Sequence, residues 1–315
     1  MINYFKIFQM IPRSSRSFNG SNKSRALILF LVLFFPLVIF SGCSSAPKKP
    51  AAIYVDRNMA TNLLNLANST INRGFFEDAL LILDDARRLA VSADDPSLRL
   101  KTAISRGNCL FSLGRHNEAF RLWETASAEG EENGEYVLAS LARISLIRAR
   151  LIVLSYENSG QNAAAEEAMI QLNREMNIVK SDSLATAAGH VAMGIAEKQL
   201  GRWTEAENTV KKALDIHDKG RFLEDAAYDW YLIASIRSVA QNYKSSIEAL
   251  HTALSYDRRA ENGFGLGSSW QAMGDVYQKA GSMGEARSAW RRSAEIFRAI
   301  GHTDKADNLE SLAAR

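Results

Sequence analysis

The feature that most constrains this chain is a spacing of small residues that returns about every forty positions. A small residue is followed by glycine seven positions later, by alanine five after that, and by a second alanine seven further on. The spacing is complete at Ala67, Gly74, Ala79 and Ala86, at Gly107, Gly114, Ala119 and Ala126, and at Gly194, Gly201, Ala206 and Ala213. Recurrence at this period predicts an array of similar units that stack on one another.

Three weaker copies continue the same frame. They are Gly274, Gly281, Ala286 and Ser293, then Ala234, Gln241, Ser246 and Ala253, and finally Val153, Gly160, Ala165 and Leu172. The last copy is degenerate and depends mainly on Tyr156 and Gly160. In chain order the copies make six units, one of which is about six residues longer than the others.

Each unit has a physical interpretation as two helices joined by a tight turn. In the second unit, Gly114 lies just past the first helix, where glycine adopts a left-handed backbone at little cost. Gly107, Ala119 and Ala126 lack bulky side chains, so the two helices can pack closely. The spacing therefore predicts helix pairs along most of the chain.

The segments LGRHNEAFRLWETA, LGRWTEAENTVKKAL and WQAMGDVYQKAGSMGEARSAW resemble tetratricopeptide repeats. The resemblance implies an all-α fold, a right-handed superhelical solenoid of about six such repeats with a period of about 40 residues, over residues 57–300. Ala306, Leu309 and Leu312 form one apolar stripe in residues 301–315, which predicts a polar-backed capping helix at the C-terminal end.

The first 42 residues have the pattern of a secretory signal. Five basic residues precede an apolar run over 26–42, which is short for a membrane span. Cys43 follows Ser41 and Gly42 and resembles the lipidated cysteine of bacterial lipoproteins, although Phe40 stands where that family usually has an aliphatic residue. An uncleaved N-terminal anchor is the alternative, and Met10 is an alternative start.

The segment after the signal indicates a short tether. Residues 43–56 contain Pro47 and Pro50 with no apolar periodicity, so we expect a flexible linker that holds the array close to the membrane. Ser44 replaces the aspartate that retains many lipoproteins at the inner membrane. By that family rule the resemblance implies the outer membrane of a diderm envelope, facing the periplasm.

The charge of the chain argues against nucleic acid as a partner. Removal of the five basic residues before Cys43 leaves 33 of the 38 Lys and Arg against 35 Asp and Glu, which changes the formal net charge from +3 to −2. A surface that binds phosphates needs a clustered cationic excess.

Motifs for catalysis, metals or cofactors are missing from the sequence. The histidines have no metal-ligand spacing, and we interpret four of them as turn or surface residues: His116, His217, His251 and His302. His190 is expected to pack within a helix pair, and Cys109 is expected to be a buried structural thiol. The acidic stretch EGEENGE is interpreted as a solvated loop between repeats, and GFGLGSS as a helix start without nucleotide binding.

The concave surface is the candidate binding site, because the resemblance implies that first helices line the inside of the superhelix. The projected frame places there Asn65, Asn68, Asn72, Lys101, Asn108, Tyr228, Tyr231, Gln271 and Asp275. Asparagine side chains pair with an extended peptide backbone, Lys101 suits a carboxylate, and exposed tyrosines are good contact residues. The alternative is a merely solvated or self-packed surface.

Three classes of function remain open from the sequence. The first is a lipid-anchored envelope scaffold that docks a protein or peptide in the concave groove. The second is an accessory subunit of an envelope transporter that binds or channels a small solute, which a deep pocket would favour. The third, a hydrolase, would need convergent polar residues that no motif supplies.

Overall fold

The computed structural model describes residues 54–157 and 161–314 of the chain. It contains 13 helices and no strand. The helices are α1 Val55–Asn72, α2 Phe76–Ser92, α3 Pro96–Ser112, α4 His116–Glu132, α5 Tyr136–Glu157, α6 Gln161–Val179, α7 Ser183–Gln199, α8 Trp203–Gly220, α9 Leu223–Val239, α10 Tyr243–Ala260, α11 Gly263–Lys279, α12 Met283–Ala299 and α13 Thr303–Ala314. The proposed signal, Cys43 and most of the tether lie outside the described residues, and so does Gly160. Because α1 begins at Val55, the last two residues assigned to the tether are helical.

The fold is the all-α repeat solenoid that the spacing predicts. Six antiparallel pairs follow one another, and α13 packs against α12 at the end. The first helices of the six pairs are α1, α3, α5, α7, α9 and α11, and the second helices are α2, α4, α6, α8, α10 and α12. Among the described residues, no helix is long and apolar enough to cross a bilayer.

The turns reveal a finer period than the sequence predicts. Residues with a left-handed backbone recur every twenty positions, within repeats and between them, at Gly74, Asp94, Gly114 and Gly134, and at Gly201, Arg221, Gln241, Glu261, Gly281 and Gly301. After each of them the next N–H bonds to a carbonyl five residues back, as Arg115 does to Leu110 at 2.9 Å. This is the Schellman termination of a helix, which favours glycine but tolerates other residues at a cost of about 1 kcal/mol.

The small residues of the repeat frame are positions of close helix approach. Gly107 lies against the indole of Trp123, and Gly274 lies against the indole of Trp290 in the equivalent position of the last repeat. Both tryptophans are almost completely buried. The predicted buried thiol is confirmed as well, because Cys109 is fully enclosed and its Sγ donates to the Phe76 carbonyl at 3.1 Å.

The third repeat differs from the sequence frame. The helix α5 begins forty residues after α3, and most of the positions that are buried in α3 are buried again forty residues later in α5. The sequence alignment of the repeats, which placed Val153 at the position of Gly107, is therefore wrong by six residues in α5. The extra length comes from α5 and α6, which have 22 and 19 residues, whereas α3 and α4 have 17 each.

The acidic stretch between the second and third repeats is mostly helical, so the expectation of a solvated loop is wrong. Residues Glu129, Gly130, Glu131 and Glu132 end α4, and only the last part of the stretch forms the turn. Gly130 is buried because α5 packs against it at Ala139. Glu129 pairs with Arg99 at 2.8 Å, and Glu131 pairs with Arg143 at 2.6 Å.

The two ends of the array meet. The closing contact consists of Gly74 and Phe76 in the first repeat and Phe264, Phe297 and His302 in the last. His302 Nε2 bonds to the Gly74 carbonyl at 2.8 Å, and the Phe264 ring meets the Phe76 ring edge-on at a centroid distance of 5.0 Å. Phe264 packs against the apolar cores of both ends, so the described array is a ring rather than an open arc.

Candidate functional site

The inside of the curve is lined by the first helices. Each first helix packs on the next first helix along the chain, whereas no contact of similar extent joins successive second helices within the described residues. Helices on the inner side of a curved stack are closer together than those outside. The concave face, defined here as the solvent-facing side of the first helices, is therefore the surface that the ring encloses.

The nine predicted groove residues lie on four first helices. Asn65 and Asn68 are exposed on α1, where Asn72 is half-buried, and Lys101 is exposed on α3 next to half-buried Asn108. The other four are on α9 and α11, three repeats or more away from α3 along the chain. The middle of the concave face, formed by α5 and α7, carries none of the predicted residues.

Two tyrosines of the prediction form a stacked pair on α9. The rings of Tyr228 and Tyr231 lie 6.2 Å apart with an angle of 15° between their planes. Tyr228 is 38% exposed and Tyr231 is half-buried. A rigid aromatic pair offers apolar contact area at a small cost in side-chain entropy, which suits recognition of a peptide.

The residues predicted on α11 have different environments. Gln271 is half-buried. Asp275 accepts a hydrogen bond from Trp290 Nε1 at 2.9 Å, so it also holds the buried indole of the second helix in place. Burial raises the pKa of Asp275, and the bond from Trp290 opposes that effect.

The structure adds to the concave face one residue, Arg148, that the sequence alignment of the repeats missed. Arg148 in α5 lies forty residues after Asn108, which itself lies forty after Asn68, so the three occupy equivalent positions of successive first helices. Its Nη2 lies 3.5 Å from Asn108 Oδ1. The six-residue error in the frame of α5 hid this equivalence.

Further charges of both signs line the second half of the concave face. Lys198 in α7 donates to Ser235 Oγ at 2.7 Å, and burial lowers its pKa, with Lys279 adding to the effect. Asp225 in α9 is open to water, yet desolvation by the surrounding helices raises its pKa, while His217 and Arg148 oppose the rise. The second half of the concave face thus carries charges of both signs.

Two buried polar clusters connect successive repeats behind this face. His217 Nδ1 lies 2.6 Å from Asp229 Oδ2, and both side chains are buried, so the expectation of a surface histidine is wrong here. Forty residues further, Asp257 accepts from Asn262 at 2.7 Å and from Ser269 at 3.4 Å. Burial raises the pKa of Asp229 to about 6 and that of Asp257 to about 7. These groups join helices and do not reach the concave face.

His190 and the glycines of the GFGLGSS segment also pack against neighbouring side chains of the fold. His190 packs within the repeat as predicted, and burial lowers its pKa. In GFGLGSS, Gly265 lies against Asp257 and Gly267 against Phe297, so these glycines make room for neighbouring side chains. Residues 54–157 and 161–314 hold no group of three His, Cys, Asp or Glu side chains arranged for a metal ion.

An open groove of about 530 Å³ lies between α10, α11 and α12 of the last two repeats. Its walls include His251 of α10, Trp270 and Tyr277 of α11, and Arg292 of α12. The guanidinium of Arg292 lies 4.8 Å from the centre of the Trp270 ring, so these two side chains already form a cation–π contact with each other.

Comparison with known proteins supports the fold alone. No protein-family model matches the chain, and no curated protein sequence matches it. Among solved structures, a Rap protein in complex with competence and sporulation factor is similar over 94% of this chain and 89% of its own, with a TM-score of 0.53 and 13% identity. A signal-transduction ATPase with a tetratricopeptide repeat sensor from Pyrococcus horikoshii is similar over 92% of this chain and 46% of its own, at 13% identity and a TM-score of 0.43. A tetratricopeptide repeat protein from Parabacteroides merdae is similar over 82% of this chain and 100% of its own, at 14% identity and a TM-score of 0.34.

Proposed function

We propose that this chain is a lipid-anchored scaffold of a bacterial cell envelope that binds a protein or peptide partner on its concave face. The proposed location is the outer membrane, facing the periplasm. The role is binding rather than catalysis, with neither a metal nor a cofactor involved and with no nucleic acid partner.

The observation that carries the proposal is the composition of the concave face. It combines the stacked pair Tyr228 and Tyr231 with amide and charged side chains from six successive repeats. Aromatic anchors surrounded by polar groups that donate and accept hydrogen bonds are typical of surfaces that bind peptides. Asn68, Asn108 and Gln271 are able to pair with a peptide backbone whatever its sequence.

The fold comparison is consistent with such a role. The Rap structure is a complex with competence and sporulation factor, so a solenoid of this build does hold a bound factor in that protein. At 13% identity we transfer from it only the general use of the array as a binding scaffold.

The anchor is proposed from the sequence around Cys43. We expect cells grown with an alkyne fatty acid to label the wild-type chain and the Cys109→Ala variant but not the Cys43→Ala variant. Cys109 is the matched control because it is the only other cysteine of the chain and is buried. Labelling that survives in Cys43→Ala would contradict lipidation and favour an uncleaved N-terminal anchor.

Photo-crosslinking in intact cells tests the binding surface. We expect a photoreactive residue at Asn68, Asn108 or Tyr231 to capture one discrete envelope protein or peptide, since all three positions lie on the concave face. Glu295, exposed on the second helix α12, is the outward control. Equal capture from Glu295, or no capture from the three inner positions, would contradict the proposal.

A further inference from the structure

The groove between α10, α11 and α12 lies where the preceding repeat has an ion pair. There, Arg237 of α9 joins the two neighbouring second helices, because it pairs with Glu207 of α8 at 2.7 Å and donates to the Ser245 carbonyl of α10 at 3.1 Å. Forty residues later, the positions of Arg237 and Glu207 are occupied by Tyr277 and Ile247. Tyrosine and isoleucine cannot form this ion pair, so the last repeat lacks the bridge between second helices at this place.

Small residues on α12 leave the groove open. Gly284 and Ser288 stand where α10 has Lys244 and Glu248. A Cβ at Gly284 would meet nothing within 4 Å, so the space beside this turn of α12 is free. The volume of about 530 Å³ is in the range of pockets that hold small organic molecules. The groove therefore has room for a ligand with one ring and a short chain.

The wall formed by α11 is largely aromatic. Trp270 and Tyr277 both line the groove and are half-buried. They are seven residues apart, so they lie on the same side of the helix with about 10 Å between them along its axis. Met273, which also lines the groove, is almost completely buried. An aromatic and apolar wall of this length suits a planar ring with a short side chain.

Arg292 provides a fixed positive charge at one end of the groove. Its guanidinium lies 4.8 Å from the centre of the Trp270 ring and forms no salt bridge or hydrogen bond with any described residue. Contact with the ring holds the guanidinium in place and leaves its N–H groups available. A guanidinium held in this way is suited to bind a carboxylate through two parallel hydrogen bonds.

His251 of α10 lines the same end of the groove. The second helices α10 and α12 are parallel, and His251 and Arg292 stand eight and nine positions after the first residues of their helices. The two side chains therefore reach the groove at nearly the same level, and the imidazole adds an N–H donor. Donors from opposite walls define a place for one anionic group.

Glu285 sets the charge at the other end. As the third residue of α12 it lies close to the turn from α11, at the end of the groove where Tyr277 stands. Its carboxylate repels any second anionic group on a ligand. The groove therefore favours a ligand with a single negative charge, placed at the Arg292 end.

We propose that this groove binds a small aromatic monocarboxylate. The carboxylate lies between Arg292 and His251, and the ring lies along the α11 wall toward Tyr277, in the space that Gly284 leaves open. Two of the three walls are second helices, so the groove is separate from the concave face. The inference thus goes beyond the proposed function and does not depend on it.

Fluorine NMR with a labelled ligand tests the inference. The full-length chain is held in lipid nanodiscs, because it carries the apolar run over 26–42, and empty nanodiscs are the blank. The probe is para-fluorophenylpropanoate, whose resonance should broaden when the chain is added. The matched probe is para-fluorophenylpropanamide, which has the same ring without the charge. We expect the amide to bind about tenfold more weakly than the acid.

Variants locate the ligand in the groove. Arg292→Gln should weaken binding of the acid about tenfold and leave binding of the amide unchanged. Gly284→Leu fills the open space and should abolish binding of both probes. The control is Arg291→Gln, since Arg291 is the exposed neighbour on α12 and does not line the groove. Circular dichroism shows whether each variant keeps its helices.

Three results would overturn the inference. They are a wild-type chain that does not broaden the resonance of the acid, equal affinity for acid and amide, and binding that Arg292→Gln and Gly284→Leu leave unchanged. None of them affects what is captured from the concave face by crosslinking in cells, so the proposed function and this groove fail or stand separately.

Discussion

Replacing Gly107 with alanine is expected to lower the free energy of unfolding by about 1–3 kcal/mol, although alanine is the better helix former. An added Cβ at this position would overlap the indole of Trp123, which is fully buried and donates from Nε1 to the Ile104 carbonyl at 3.3 Å. The indole or the helix that carries it would have to shift to make room for the methyl group. Thermal unfolding followed by circular dichroism should show a melting temperature lower by roughly 3–10 °C.

The control for this variant is the same change at Gly284. Gly284 is exposed in α12, and a Cβ there would meet nothing within 4 Å. Gly284→Ala should therefore leave stability unchanged or raise it by up to about 1 kcal/mol through helix propensity. If the two variants shift the melting temperature equally, close packing against Trp123 is not the reason for the glycine in the repeat frame.

The fold could be predicted from the sequence because the residues that determine it, the turn glycines and the small packing residues, are local and repeated. Gly74, Gly114, Gly201 and Gly281 all adopt the left-handed backbone that the spacing predicts. The twenty-residue half-period was missed because two of the turns between repeats use Arg221 and Glu261, residue types that carry no turn signal. The sequence did indicate the half-period at two positions, because Gly134 and Gly301 each follow a turn glycine of the repeat spacing by twenty residues.

The candidate site could be predicted from the sequence only in part, for a related reason. A residue is assigned to the concave face by its register, so the error of six residues in α5 removed Arg148 from the face. No spacing predicts that His217 is buried against Asp229, since that depends on which helix covers it. The groove residues themselves stay a prediction until a ligand is found.

The closing contact had no sequence signal at all. Gly74 and His302 are separated by 228 positions, and their pairing depends on the summed curvature of six repeats. Small changes in each repeat accumulate along a solenoid, so the relative position of the ends is not a property of any one unit. The ring is thus a feature that only the assembled array reveals.

Replacing Phe264 with alanine is expected to open this ring. Phe264 contacts Phe76 at 5.0 Å, Phe297 at 5.6 Å and His302 at 5.5 Å between ring centres, so its loss removes a large aromatic side chain from the contact between the ends. A loss of about 2 kcal/mol would increase the open fraction roughly thirtyfold. Hydrogen exchange measured by mass spectrometry should then show faster exchange at the first turn, around Gly74, although the substitution is 190 residues away in sequence.

Phe120→Ala is the matched control, since Phe120 is also half-buried in an aromatic cluster, with His116 and Trp123, but lies in the second repeat away from the closing contact. It should speed exchange only near its own helix pair. Exchange that rises in Phe264→Ala only over residues 260–305 would show that the first repeat stays in place without the contact. Faster exchange at both ends, with the middle repeats unchanged, would identify the contact as the point where the ring opens. A partner segment without a free end can be threaded through the ring only by such an opening, so the stability of this contact would then limit how fast that segment is threaded.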